Sequence, residues 1–189
     1  MPTVAIQPKL ARLSRARYDA MIEAGILTEN DAVELLDGQI YEAIPKGPKH
    51  NALILRLAKL LERRFGERCL VGCQNSIALH EYSEPEPDLA VLRPREDFNE
   101  GALPEPKDVL FIIEVSDSTL AYDRDLKVPL YAAADIAEVW LMDVQAATVT
   151  VYRQPKGNAY HSEQVYRPGD TIPLSAFGDE SVAVADLGL

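Results

Sequence analysis

Phe111-Ile112-Ile113-Glu114-Val115-Ser116 is an apolar run interrupted by one carboxylate. Continuous apolar residues from Val109 to Val115 suit a strand buried on both faces inside a sheet. A carboxylate in such a strand is costly unless something pairs with it or coordinates it, so Glu114 needs a partner. The preceding apolar run, Leu89 to Leu92, opens on Glu86-Pro87-Asp88, with an aspartate at the very start of the strand. If these strands are neighbours, Asp88 and Glu114 bring two hard oxygen donors to one place. Mg²⁺ typically takes one or two carboxylates and keeps several waters. Ser116 lies two residues beyond Glu114 and shares its face. Lys127 falls in the next helical stretch, Tyr122 to Ala133, with Asp123 one turn before it. Its long stem can reach back across the strand end and place a positive charge where a water is oriented or an anionic transition state forms.

Outward from this centre the chain alternates strands with two or three helices, a mixed α/β pattern. Ser14 to Gly25 has the spacing of a short helix. Val33 to Tyr41 carries Asp37-Gly38 between two apolar runs, a strong hairpin signal. Asn51 to Phe65 is the clearest helix: Leu53, Leu57, Leu60, Leu61 and Phe65 form an apolar stripe, and Arg56, Lys59 and Arg63 a basic one. Strands are expected within Cys69 to Leu79, and at Glu138 to Asp143, Thr148 to Tyr152 and Ala159 to Tyr166. Pro94 to Lys107 reads as a surface loop, and the tail beyond Tyr166 shows little regular pattern. No repeat or long linker divides the chain, so the expected organisation is a flexible arm over 1–13 and one domain over 14–189.

The 189 residues are 47% hydrophobic, with 19 Lys and Arg against 30 Asp and Glu and a formal charge of −11. That acidity excludes a general nucleic-acid coat protein, whose affinity comes from Lys and Arg, but leaves room for a local basic face. With no apolar run of about 18 residues and no signal-peptide pattern, the expectation is a cytoplasmic protein without a membrane span. Cys69 and Cys73, on one strand, would stand about 13 Å apart at ~3.3 Å per residue and stay unpaired. His50, His80 and His161 are scattered, so a metal, if present, falls to carboxylates.

The order Pro87-Asp88, Glu114-x-Ser116 and Lys127 resembles the PD-(D/E)XK nuclease core, an aspartate after proline followed by an acid, one residue and a lysine. The closer resemblance is to the Uma2 family, a bacterial restriction-endonuclease-like group. Glu34-Leu35-Leu36-Asp37-Gly38, His50, Pro87-Asp88, Glu114-Val115-Ser116, Asp123 with Lys127, Tyr131-Ala132 and Val139-Trp140-Leu141-Met142-Asp143 carry it. Their order spans nearly the whole chain. The resemblance implies a restriction-endonuclease-like α/β fold, a mixed β-sheet core flanked by helices. It implies Asp88 and Glu114 as ligands of Mg²⁺ or Mn²⁺, with the Val115 carbonyl as a further ligand. Lys127 becomes a relocated catalytic lysine, Ser116 the occupant of the usual lysine slot, and Glu34, His50 and Asp123 supporting residues. Two positions depart from the family pattern. Pro129 falls inside the helix expected to carry Lys127, so either that helix kinks or Lys127 precedes its start. Asp135 stands where the family has a glycine.

Function follows as a metal-dependent endonuclease acting on DNA, with Arg56, Lys59 and Arg63, and Arg12, Arg15 and Arg17 near the amino terminus, guiding the backbone. Two cuts in a duplex suit a homodimer. Two alternatives stay open: an inactive nuclease fold kept as an interaction module, and a hydrolase of small phosphoesters. Trp140 and Tyr131 read as core aromatics rather than base-stacking platforms.

Overall fold

Val109–Ser116 folds as a strand buried on both faces, as its composition requires. The computed structural model describes residues 9–28 and 30–189, so the first eight residues of the expected arm lie outside it. In chain order the main elements are α1 (Arg15–Glu23), β1 (Val33–Leu36), β2 (Gln39–Glu42), α2 (Pro48–Phe65), β3 (Leu70–Cys73), β4 (Leu89–Leu92) and β5 (Val109–Ser116). There follow α3 (Leu120–Tyr122), a π-helical turn (Asp123–Lys127), α4 (Val128–Ala133), β6 (Glu138–Asp143), β7 (Thr148–Lys156), β8 (Ala159–Tyr166), β9 (Thr171–Pro173) and β10 (Ser181–Ala183).

Strands β3 to β8 form one six-stranded sheet in sequence order. Only β5 and β6 run parallel; every other neighbouring pair is antiparallel. A parallel pair needs a crossover, and α3, the π turn and α4 supply it. On one face Phe111, Ile113 and Val115 pack with Trp140 and Met142 against Leu53, Leu57 and Leu61 of α2. On the other, Ile112, Val139 and Leu141 pack with Val128 and Tyr131 of α4. The expected mixed sheet flanked by helices is the fold observed.

Beside this sheet stands the β1–β2 hairpin, turning through Asp37 and Gly38, both at positive φ, the conformation that an Asp-Gly turn favours. A Cβ on Gly38 would come within 2.6 Å of the Arg12 side chain, so a larger residue there meets both strain and a clash. Arg12 pairs with Asp37 and stacks 4.0 Å over the Tyr82 ring, and Leu13 N–H bonds the Gly38 carbonyl at 2.9 Å. A bridge between Leu35 and Glu84 ties the hairpin to the segment that leads to Asp88.

Several expectations are corrected. Leu70–Cys73 is far shorter than a strand from Cys69 to Leu79, because Gln74 turns the chain at φ 54°. Cys69 and Cys73 are both free thiols, as expected. The tail is not featureless. β9 and β10 pair, and nearby Phe177 stacks on Phe65 of α2 at 4.0 Å between ring centroids. Pro129 is accommodated by the π turn. Val128 N–H bonds the Asp123 carbonyl, and α4 begins at Val128, which places Pro129 in the first turn of α4, next to the widened turn. Asp135 adopts φ 58°, a left-handed conformation that Asp tolerates better than most residues.

His80 gives the segment before Asp88 a pH dependence. Its Nδ1 accepts the Tyr82 N–H at 3.1 Å, the role of a neutral ring. Burial, helped by Arg12, lowers its pKa below 6.5. The unfolded chain therefore binds a proton that the folded chain refuses once the pH falls below 6.5. Stability present above that pH is lost as the pH drops towards the depressed folded value. In denaturant unfolding at pH 7.5 and 5.5, His80→Asn is expected to lose less stability on acidification than the wild type. An equal loss in both would rule His80 out as a source of the dependence.

Candidate active site

The β4–β5 pairing places Leu89 opposite Ile113, so Asp88 arrives beside Glu114. The two residues are latched reciprocally. Asp88 N–H donates to Glu114 Oε2 at 3.3 Å, and Val115 N–H donates to Asp88 Oδ2 at 2.9 Å. His50, in the first turn of α2, bonds the same Oδ2 through Nε2 at 3.0 Å. Lys46, from the loop before α2, donates to Asp88 Oδ1 at 2.7 Å. Burial alone would raise the Asp88 pKa, but the His50 bond and the Lys46 charge outweigh it and hold the carboxyl well below its ordinary value.

Glu114 is 1% exposed. Its Oε1 accepts from Lys127 Nζ at 2.9 Å and from Tyr131 Oη at 2.5 Å. Burial pushes the carboxyl above its ordinary value, Lys127 beside it opposes that shift, and the charges of Asp88 and Asp123 add to it. Lys127 is 4% exposed and also donates to the Glu86 carbonyl at 2.9 Å, with Glu34 Oε2 at 3.6 Å. Burial disfavours its ammonium, yet Glu114, Glu34 and Asp123 together hold its pKa above the ordinary lysine value. Lys127 therefore keeps its proton and is the fixed cation of the site.

Around this pair the support is dense. Glu34 reaches the site because the hairpin is pinned beside Glu84; it accepts from Tyr122 Oη at 2.9 Å and from Glu86 N–H at 3.0 Å. Ser116 Oγ and Thr119 Oγ1 both donate to Asp123 Oδ2, at 2.7 and 2.6 Å. Ser116 thus shares the Glu114 face, as the strand period requires, but its hydroxyl is committed to Asp123.

Glu34, His50, Asp88, Glu114, Asp123 and Lys127 line a cavity of about 80 Å³. Its walls carry six carboxylates (Glu34, Glu86, Asp88, Glu114, Asp117, Asp123) against the lysines Lys46 and Lys127. The structure therefore brings together Asp88, Glu114, Lys127, Glu34, His50 and Asp123, with Ser116 and Val115 adjoining. It does not bring the basic stripe with them. Arg56, Lys59 and Arg63 are exposed along α2, and none lines the cavity. Arg12 and Arg15 are engaged with Asp37 and Glu84.

Sequence reasoning missed Lys46, Tyr122, Thr119 and the second role of Tyr131. Lys46-Gly47-Pro48 reads as a chain break, and its only hint was a lysine just before the helix that carries His50. Tyr131 and Trp140 are fully buried core aromatics as expected, but the Tyr131 hydroxyl also bonds Glu114.

Among the described residues, no helix is long and apolar enough to cross a membrane. No curated protein matches the chain. A crystal structure described as "a putative nuclease belonging to DUF820", from Anabaena variabilis ATCC 29413, superposes with a TM-score of 0.66 at 21% identity. The match covers 87% of this chain and 94% of that one, which establishes a shared fold. The model of Uma2, described as "Putative restriction endonuclease", matches residues 16–185. With its fold shared and that model matching nearly its whole length, the chain belongs to the Uma2 family.

Proposed function

We propose that this protein is a divalent-cation-dependent endonuclease that hydrolyses DNA phosphodiester bonds at the Asp88, Glu114 and Lys127 cluster. The observation that carries this reading is the buried Lys127 ammonium bonded to Glu114, with Asp88 latched beside them at the end of an open pocket. Six carboxylates against two lysines repel a phosphodiester, so the pocket needs further positive charge before it accepts one. Among the described residues no group of three or more His, Cys, Asp and Glu forms a ready metal cage. Two carboxylates nevertheless fit Mg²⁺ or Mn²⁺, hard cations that keep much of their water. The Lys46 ammonium on Asp88 Oδ1 is a stand-in for such a cation. Asp88, Glu114 and the Val115 carbonyl are the groups that would hold it. When bound, the cation supplies charge against the scissile phosphate and makes nearby water more acidic.

The chain's own residues do the rest. Lys127, protonated and fixed, orients the attacking water or offsets charge on the phosphate. His50 and the Val115 N–H fix Asp88, Tyr131 fixes Glu114, and Ser116 with Asp123 occupies the remaining slot. Arg56, Lys59 and Arg63 guide the DNA backbone, and a homodimer presents one site to each strand of a duplex. The setting is cytoplasmic, and 14–189 acts as one domain.

The small cavity favours a second reading, a hydrolase of small phosphoesters. Supercoiled plasmid and bis(p-nitrophenyl) phosphate separate the two. Nicking of plasmid that requires Mg²⁺ or Mn²⁺ and stops with chelator is the expected result. Turnover of the small diester with intact plasmid would favour the second reading, and neither reaction would leave a binding module.

A further inference from the structure

Residues 43–47 join β2 to α2 without regular structure and bring one partly exposed cation to the pocket. Lys46 donates to Asp88 Oδ1 at 2.7 Å while its side chain remains 33% exposed. The other oxygen of Asp88 is taken by groups that cannot leave: the Val115 N–H on a central strand and His50, 6% exposed on α2. Oδ1 is thus the Asp88 oxygen whose partner is a side chain reaching in from solvent. Lys127 offers a contrast, since it is locked among Glu114, Glu34 and the Glu86 carbonyl. An ammonium on a four-carbon stem is a compact, well-hydrated point charge, so leaving Asp88 costs Lys46 less than leaving Glu114 would cost Lys127.

We propose that Lys46 is an exchangeable cation: it neutralises Asp88 in the metal-free protein, yields Oδ1 to a divalent cation, and then binds the phosphate of the substrate. This rests on the reading of Asp88 as a metal ligand. The exchange replaces one positive charge with two on a carboxylate in a strongly acidic pocket, so it is favoured by charge alone. It also frees an ammonium where, among the described residues, an arriving phosphodiester has no other uncommitted lysine in the cavity wall. One residue thereby guards the empty site and serves the loaded one.

The test is calorimetric titration of Mn²⁺ into the wild type, Lys46→Met and Glu114→Gln, with folding checked by circular dichroism. Dimethyl phosphate, a minimal diester, is then titrated into the Mn²⁺-loaded proteins. Lys46→Met is expected to bind Mn²⁺ about tenfold tighter, because no charge-assisted bond has to be broken first, and to bind dimethyl phosphate several-fold more weakly. Binding of Mn²⁺ by Lys46→Met alone would show that Lys46 blocks the metal instead of yielding to it, and would overturn the exchange. Wild-type binding with unchanged or weaker binding in a folded Lys46→Met overturns the exchange but leaves the metal reading standing. Unchanged affinity for dimethyl phosphate overturns the phosphate role. Absence of Mn²⁺ binding in the wild type and in Lys46→Met overturns the metal reading and the exchange with it. Lys46→Gln, which keeps a polar side chain without charge, repeats the comparison should the methionine variant fold poorly.

Discussion

Lys127→Met is expected to destabilise the fold by about 3–5 kcal/mol, the cost of leaving a buried charge without its partner. The methionine fills the space of the stem, so the loss comes from Glu114, which is 1% exposed, and from the neighbouring charges of Glu34 and Asp123. For a chain of this length that corresponds to a melting temperature lower by roughly 6–20 °C. The double variant Lys127→Met/Glu114→Gln removes both halves of the pair and is expected to recover much of the loss. Positive coupling of this kind identifies a direct interaction. Thermal and denaturant unfolding of the four proteins in the cycle measures it. A Lys127→Met variant within 1 kcal/mol of the wild type, on the scale where a buried charge costs ~3 kcal/mol or more, would show that the ion pair at 2.9 Å does not hold the fold together.

Glu114→Gln is expected to lower the rate of plasmid cleavage at saturating Mn²⁺ by at least about 100-fold, on the scale of losing one group that offsets transition-state charge. The amide keeps the shape of the carboxylate and can still accept from Tyr131 and Lys127. It cannot supply the negative charge that a cation requires. Loss of cleavage with folding retained therefore reports on chemistry rather than architecture. Initial rates of supercoiled-plasmid nicking give the measurement, and a folded Glu114→Gln that cuts within tenfold of the wild type would remove Glu114 from the reaction.

The part of the fold legible in the sequence was the part written in local pattern. Val109 to Val115 is apolar on both faces because both faces are covered, and the 3.6-residue stripe of Leu53, Leu57 and Leu61 marked α2 to within three residues of its start. A lone acid in such a strand has few physical explanations, so Glu114 stood out, and Asp88 followed from adjacency. The three-residue strands Thr171–Pro173 and Ser181–Ala183 are too short to show a period. They exist because Ile172, Leu174 and Val182 find the α2 face of the core. Lys46 was hidden for another reason. Its reach to Asp88 depends on where an irregular loop lies in space, and no spacing along the chain encodes that. The π turn was half legible: Pro129 announced that a regular helix could not continue, but not that Asp123–Lys127 would widen to let it.

The single charge in β5 has one more consequence, before the sheet exists. Val109 to Val115 combines β-branched and aromatic residues without glycine or proline, the composition of segments that stack with copies of themselves when exposed. Its pairing with β6 waits on a long crossover, and Glu114 is the only charged residue in the run. In the nascent chain that carboxylate, ionised and in water, repels its counterparts on other chains and acts as a gatekeeper against aggregation. A chain carrying Glu114→Gln loses that protection as it leaves the ribosome, so its soluble yield falls for a reason separate from its chemistry.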